Sequence, residues 1–173
     1  GPHNKGIELK PEEESAIAWH EAGHAEVRHA TGGQVDRVSI LPRGQALGIT
    51  FSVPTDTSLH TYEHVQQELM VLLGGRAAEE LFVGQISSGA ANDLERASAI
   101  AFDAVTRLGL GDRGLFVPQT ESGKHEAEAS AARLIADCYE QTKDLLAKHK
   151  DRVQRLHDLL VETKEVDYSE ISV

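Results

Sequence analysis

A chain of 173 residues is long enough for one domain with its own core, and its formal charge of −11 opposes binding to nucleic acid or to anionic membrane surfaces. No apolar run approaches the roughly 20 residues of a membrane-spanning helix, and no signal peptide is recognisable. The single cysteine, Cys138, excludes an internal disulfide and fits a reducing compartment. Because Gly1-Pro2 resembles the scar of a cleaved tag, we interpret residues 1–10 as a tag remnant or disordered N-terminus and expect one domain over residues 11–173.

Hydrophobic spacing along the chain predicts a mainly helical protein with a short β segment after the first helix. The predicted elements are a helix over 11–31, strands over 35–41 and 47–53, and helices over 61–83, 92–108, 127–148 and 151–162. The last two helices could also form one long bent helix. The first helix has a clear start at Pro11 and three following acids, and the fourth element contains Gly74-Gly75, which indicates close packing against a neighbour. We therefore expect an α+β fold with a small sheet near the first helix and a C-terminal helical bundle.

The most informative stretch is His20-Glu21-Ala22-Gly23-His24, in the middle of the first helix. Two histidines four residues apart project from the same helical face, so they can hold one zinc ion between them. Glu21 lies beside that face, where it can act as the general base for an activated water. The simpler alternative is an amphipathic helix that carries two ordinary histidines by chance. The motif favours a zincin-type catalytic helix.

A zinc site of this kind needs a third protein ligand, and spacing does not identify it. The candidates further along the chain are His60, His64, Glu79, Glu80 and Asp93. Asp93 is expected on the core side of its helix, but from spacing alone an acid that complements the helix dipole is the simpler interpretation. The residues themselves leave the third ligand open.

Further motifs follow the first helix in a fixed order. They are Ile40-Leu41-Pro42-Arg43-Gly44, Ala46-Leu47-Gly48-Ile49-Thr50, Leu73-Gly74-Gly75-Arg76-Ala77-Ala78-Glu79-Glu80, Gly89-Ala90-Ala91-Asn92-Asp93-Leu94-Glu95-Arg96-Ala97 and Leu159-Leu160-Val161-Glu162-Thr163-Lys164, with Glu170-Ile171 near the end. Together with Trp19-His20-Glu21-Ala22-Gly23-His24-Ala25, they make residues 10–173 similar to the peptidase domain of the FtsH family of membrane-bound, ATP-dependent zinc proteases.

The resemblance implies a zinc-dependent endopeptidase that hydrolyses unfolded or damaged proteins, with Glu21 as the catalytic base. It implies Asp93 as the third zinc ligand beside His20 and His24, and Glu79 as the carboxylate that holds the other ring nitrogen of a ligand histidine. A non-catalytic peptidase-like domain that serves binding or assembly is the alternative, and Glu21 argues against it because a structural zinc site needs no base.

A substrate strand is also implied, because the segment Gly48, Ile49, Thr50 and Phe51 matches the family segment beside the zinc. A protease that accepts many sequences must hold the peptide backbone, and an exposed strand edge offers those hydrogen bonds at regular spacing. Without the resemblance, an ordinary edge strand closed by Pro54 would be the simpler interpretation.

Partners and location follow from the same resemblance. The family domain follows an AAA+ ATPase module and transmembrane helices, and this sequence contains neither. We expect polypeptide substrates, an AAA+ module in cis or in trans, further copies of the chain in a hexamer, and no nucleic acid. The expected location is the cytoplasm, or the cytoplasmic, matrix or stromal side of a membrane within a longer FtsH-like chain. The loop formed by residues 109–125 is shorter than the corresponding loop of the family.

Overall fold

The computed structural model describes residues 8–42, 60–171 and the backbone of 49–52. The helices are α1 (Pro11–Ala30), α2 (Tyr62–Ala78), α3 (Ala91–Arg107), α4 (Glu121–Lys148) and α5 (Lys150–Thr163), and the strands are β1 (Val35–Ser39), β2 (Ile49–Ser52) and β3 (Glu165–Asp167). A π-helical turn (Glu79–Val83) continues α2, and 3-10 turns cover Ser88–Ala90 and Tyr168–Ile171. Within these described ranges, no helix is long and apolar enough to cross a membrane.

Helix α1 occupies the centre of the molecule. Pro11 stands in its first turn and three acids follow, which complements the positive end of the helix dipole, as the sequence predicts. The helix ends where Gly32 adopts a left-handed φ of +92°, a conformation that favours glycine. Ala18 and every residue from 20 to 27 are buried, although several are polar. The motif of α1 is thus enclosed by the other elements.

Helices α1 and α2 approach each other at glycines. A β-carbon on Gly23 would lie 2.3 Å from the carbonyl oxygen of Gly74, and one on Gly74 would lie 2.9 Å from that of Gly23. Neither position tolerates a side chain without moving backbone, so the two helix axes can come this close only with glycine at both positions. The close packing predicted at Gly74-Gly75 is confirmed.

The three strands form one antiparallel sheet in the order β2-β1-β3. Strand β1 is central, with Val38 fully buried and opposite both Thr50 of β2 and Val166 of β3. The sequence does not predict β3, because its Glu165-Val166-Asp167 contains a single apolar residue and is too short to show a period. Its strand conformation depends on pairing with β1, far away in sequence.

Two helix starts differ from those that the sequence predicts. Helix α4 begins at Glu121, six residues before the predicted start, because the side chain of Thr120 accepts the backbone N–H of Gly123 and caps the helix. Asn92, where the sequence predicts the start of α3, lies inside the helix, since the preceding 3-10 turn runs directly into it. Leu108, the last residue of the predicted helix, is its C-cap and is half exposed.

A buried carboxylate joins α1 to the segments that follow α4. Glu26 is almost fully buried, and its Oε1 accepts hydrogen bonds from Arg152 Nε at 2.9 Å and from His149 Nδ1 at 2.8 Å. Its Oε2 accepts from the Tyr168 hydroxyl at 2.8 Å. Arg152 also donates to the Ile171 carbonyl at 3.2 Å. Because a buried charge must be paired, this network fixes α5 and residues 168–171 against α1.

Cys138 lies fully buried on α4. Burial raises the pKa of its thiol to about 11, and the neighbouring carboxylate of Asp137 adds to the rise. Since the thiolate is the reactive form, we expect negligible alkylation of the folded protein by iodoacetamide at pH 8 and complete alkylation in denaturant. Mass spectrometry of both samples is the measurement, and rapid labelling of the native protein would contradict the buried position.

Candidate metal centre

Three donor atoms from two helices converge beside the crossing of α1 and α2. The Nε2 atoms of His20 and His24 lie 3.0 Å apart, and Asp93 Oδ2 lies 3.1 Å from the first and 3.0 Å from the second. The histidine side chains are each 11% exposed and that of Asp93 is 17% exposed. Asp93 stands in the first turn of α3. This position brings its side-chain carboxylate against the face of α1 that carries the two histidines.

The opposite ring nitrogens are held by acceptors. His20 Nδ1 lies 2.7 Å from Glu79 Oε2, and His24 Nδ1 lies 2.7 Å from the carbonyl oxygen of Val71. A carbonyl can only accept, so Nδ1 of His24 carries a hydrogen, and in the neutral ring its Nε2 has a lone pair. The carboxylate of Glu79 favours the same tautomer of His20. Both Nε2 lone pairs and the Asp93 oxygen therefore face one another.

The electrostatics of this cluster favour positive charge. Burial opposes the charged form of His20, but hydrogen bonds to Asp93 and Glu79, together with the charge of Glu21, raise its pKa to about 9. Burial alone would raise the pKa of Asp93, but its close contacts with the imidazoles of His20 and His24 outweigh this and hold that pKa well below the usual range. Without a metal ion, a proton on His20 supplies the positive charge that the three donors require.

The donor set fits a zinc ion. Zinc with bonds of about 2.0–2.1 Å in tetrahedral geometry keeps its ligand atoms roughly 3.3 Å apart, close to the 3.0–3.1 Å separations found here. One atom each from His20, Glu21 and His24 also lie within 4.8 Å of one another. Asp93 Oδ2 lies 3.1 and 3.0 Å from the two imidazole nitrogens, so its carboxylate fits the third ligand position.

Glu79 reaches His20 from the π-helical turn that continues α2. Its side chain is 1% exposed, and its second oxygen accepts the backbone N–H of Ser87 at 3.0 Å. Burial opposes its ionised form, but the hydrogen bonds from His20 and Ser87 outweigh this and lower its pKa. π-helical turns often occur at functional sites because they change the direction of side chains locally. Glu79 thus lies against the His20 ring nitrogen that faces away from the three-atom cluster.

Gly75 provides the space for the His20 ring. A β-carbon at Gly75 would lie 2.4 Å from Cε1 of that ring and 2.5 Å from its Nε2. The sequence indicates close packing at this glycine but not that its neighbour is a candidate metal ligand. Val71 gives no signal at all in the sequence, because its contribution is a backbone carbonyl.

The remaining candidates for the third ligand lie elsewhere. Glu80 points toward α4, where it accepts hydrogen bonds from Lys143 Nζ at 2.9 Å and the Tyr139 hydroxyl at 3.1 Å. His60 and His64 contact each other near the start of α2, with ring centroids 4.8 Å apart. Among the candidates from the sequence, Asp93 is thus the residue that meets both histidines of the motif.

The remaining predicted site residues are the base, Glu21, and the substrate strand over residues 48–51. Glu21 is 5% exposed and directly follows His20 on α1. Ile49, Thr50 and Phe51 belong to β2, at one edge of the sheet. Gly48 lies outside the described residues.

Comparison with known proteins agrees with the resemblance seen in the sequence and with an α+β fold. The model of peptidase family M41 matches residues 7–173. The ATP-dependent zinc metalloprotease FtsH of Cupriavidus metallidurans is 35% identical, with 99% of this chain and 30% of that protein covered. FtsH of Thermotoga maritima is 33% identical, with 99% of this chain and 32% of that protein covered. FtsH 2 of Symbiobacterium thermophilum is 38% identical, with 90% of this chain and 29% of that protein covered.

The chain spans about a third or less of the length of these relatives. The alignment with the Cupriavidus metallidurans protein runs over 192 positions, more than the 173 residues of this chain, so that relative contains residues that this chain lacks. The family match and the relatives nevertheless cover nearly the whole sequence. The chain therefore belongs to peptidase family M41.

Proposed function

We propose that this chain is a zinc-dependent endopeptidase domain that hydrolyses peptide bonds of unfolded or damaged proteins. The observation that carries the proposal is the cluster of His20 Nε2, His24 Nε2 and Asp93 Oδ2 within 3.0–3.1 Å. Relatives named as ATP-dependent zinc metalloproteases support it. An AAA+ module in cis or in trans would supply unfolded substrate to this domain. Further copies of the chain would assemble with it.

Each residue of the site has a defined task in this proposal. His20, His24 and Asp93 would hold the ion, while Glu79 and the Val71 carbonyl keep both imidazoles in the tautomer that leaves Nε2 free to bind it. When bound, zinc supplies Lewis acidity, which acidifies water and polarises the peptide carbonyl.

Proton transfer is assigned to Glu21. Its carboxylate takes a proton from the water whose oxygen bonds to the peptide carbonyl carbon. It then delivers that proton to the amine nitrogen as the carbon–nitrogen bond breaks, so the carboxylate is regenerated. The cluster is largely buried, which strengthens these charge interactions relative to those in bulk water.

The alternative is a non-catalytic domain that keeps the peptidase fold for binding or assembly. Purified protein should contain about one zinc ion per chain and cleave unfolded casein, and a chelator should abolish cleavage until zinc is restored. Zinc-loaded protein that cleaves neither casein nor short peptides would favour the alternative.

The third ligand can be tested by replacing Asp93 with alanine. We expect this change to weaken zinc binding by about 100-fold or more, because two imidazoles alone would hold the ion. Glu80→Ala is the matched control, since it also removes a carboxylate with close partners but lies away from the cluster. Zinc affinity is measured by competition with a chromogenic chelator. An Asp93→Ala protein with parental affinity would transfer the ligand role to another carboxylate, with Glu21 or Glu79 next in line.

The substrate is proposed to add to the outer edge of β2, which pairs with β1 on its other side. Backbone N–H groups of successive strand residues point to opposite edges, so one of Ile49 and Thr50 faces outward. Proline removes that donor.

We expect one of the variants Ile49→Pro and Thr50→Pro to stay folded and zinc-loaded. Its KM for a model peptide should rise roughly 5- to 10-fold, because one hydrogen bond to the substrate is lost. The other should disrupt the pairing with β1. Two folded variants with the parental KM would exclude this edge as the substrate site.

A further inference from the structure

A second pair of histidines stands at the start of α2. His60 precedes the helix and His64 lies in its first turn, so the two residues have the same spacing as His20 and His24. The ring centroids of His60 and His64 are 4.8 Å apart, and those of His20 and His24 are 4.6 Å apart. The two pairs thus have nearly the same separation, although only one belongs to the candidate peptidase site.

This separation suits two imidazoles on one metal ion. With metal–nitrogen bonds of about 2.0–2.1 Å, two ring centroids in a tetrahedral arrangement lie roughly 5 Å apart. The backbone of the first turn is fixed, because the Thr61 side chain accepts the N–H of His64 at 3.1 Å. The His64 side chain is 26% exposed and His60 is exposed, so an ion can reach both rings and keep water as its remaining ligands.

A carboxylate stands behind one of the rings. Glu68 Oε1 lies 3.9 Å from His64 Nε2, one turn further along α2. At this distance the carboxylate makes no hydrogen bond with the ring, but its negative charge favours a cation nearby. His64 precedes Val71 by seven residues, which corresponds to about 10 Å along the helix, so this pair and the His20–His24 pair require separate ions.

We propose that His60 and His64 form a second, solvent-accessible site for a late first-row transition-metal ion, with water completing its coordination. Imidazole ligands suit Cu²⁺, Ni²⁺ and Zn²⁺, and Cu²⁺ is bound most tightly of these. With two protein ligands, the site exchanges its ion more readily than a three-ligand centre does. A bound ion joins residue 60 to the first turn of α2.

The test uses the Cu²⁺ complex of iminodiacetate, which leaves coordination positions for two imidazoles, added to zinc-loaded protein. We expect one complex bound per chain, with electron paramagnetic resonance showing hyperfine coupling to two imidazole nitrogens. His60→Ala and His64→Ala should each weaken binding roughly 10-fold or more, because either change removes one arm of a chelate. In each variant, the spectrum should show hyperfine coupling to one imidazole only.

The matched control is His125→Ala, an exposed histidine on α4 with Glu121 and Ala129 one turn away on either side. It should leave binding unchanged. Parent protein that binds the complex no more tightly than the His60→Ala/His64→Ala double variant would overturn the proposal. The same conclusion would follow if His125→Ala weakened binding as much as His64→Ala. Because His60 is exposed and lies outside the helix, its variant tests the site even if His64→Ala disturbs the fold. The result is independent of peptidase activity.

Discussion

Replacing Glu21 with glutamine should reduce proteolysis by about 100-fold or more while zinc remains bound. The amide has nearly the same size and preserves hydrogen bonding, but it cannot accept the proton that leaves water. Glu21 is 5% exposed and beside His20, so a similar side chain should keep the packing of α1. The measurements are kcat on unfolded casein and the zinc content of the same preparation.

Glu13→Gln is the matched control for this experiment. It makes the same change on the same helix, at an exposed position in the first turn, and should leave kcat and zinc content unchanged. Near-parental proteolysis by Glu21→Gln would remove this residue from the proton transfer. Loss of zinc in that variant would instead assign the Glu21 carboxylate to the ligand set, as its proximity to both histidines allows.

Replacing Gly75 with alanine should weaken zinc binding, and lower activity with it, although Gly75 contributes no donor atom. Alanine is the better helix former by roughly 0.5–1 kcal/mol, so local propensity favours the substitution. The new β-carbon would lie 2.4 Å from His20 Cε1, and the ring must move by about 1 Å to regain ordinary contact. Since a metal site requires its ligands within about 0.5 Å of the productive geometry, we expect affinity to fall roughly 10- to 100-fold.

Gly89→Ala provides the control for Gly75→Ala. It introduces the same methyl group near the site, where the nearest atom is the Ser87 hydroxyl oxygen at 3.3 Å. That side chain can yield, so zinc affinity and far-ultraviolet circular dichroism should match the parent. A Gly75→Ala protein with parental zinc affinity would show that the His20 ring has room to move without leaving the cluster.

The part of the site that the sequence predicts from spacing lies within a single helix. His20, Glu21 and His24 share α1, where a fixed rotation per residue relates them. Asp93 is 73 residues away from His20 and meets it only because α3 begins beside α1, a relation that no local period encodes. Spacing alone therefore left Asp93 among five candidates, and the resemblance to a family was needed to choose it.

The fold shows the same contrast between features that local sequence predicts and features that depend on long-range contacts. The ends of α1 were predictable because proline, acids and glycine mark them chemically. Strand β3 was not, since it is a strand only through its partner β1. The predicted start of α4 is too late because the cap at Thr120 lies within a glycine-rich stretch that is typical of a loop.

The network around Glu26 bears on the order in which the protein is made. Tyr168 reaches Glu26 across 142 residues, and β3 pairs with β1 over a similar stretch. On the ribosome, α1 with its histidine motif emerges long before these partners are synthesised. Until residues 165–171 appear, one side of β1 lacks its partner strand and the Glu26 carboxylate lacks the Tyr168 hydroxyl, and such long-range contacts form slowly. We therefore expect the domain to complete its fold only after synthesis of residue 171, although the histidine motif lies near the beginning of the chain.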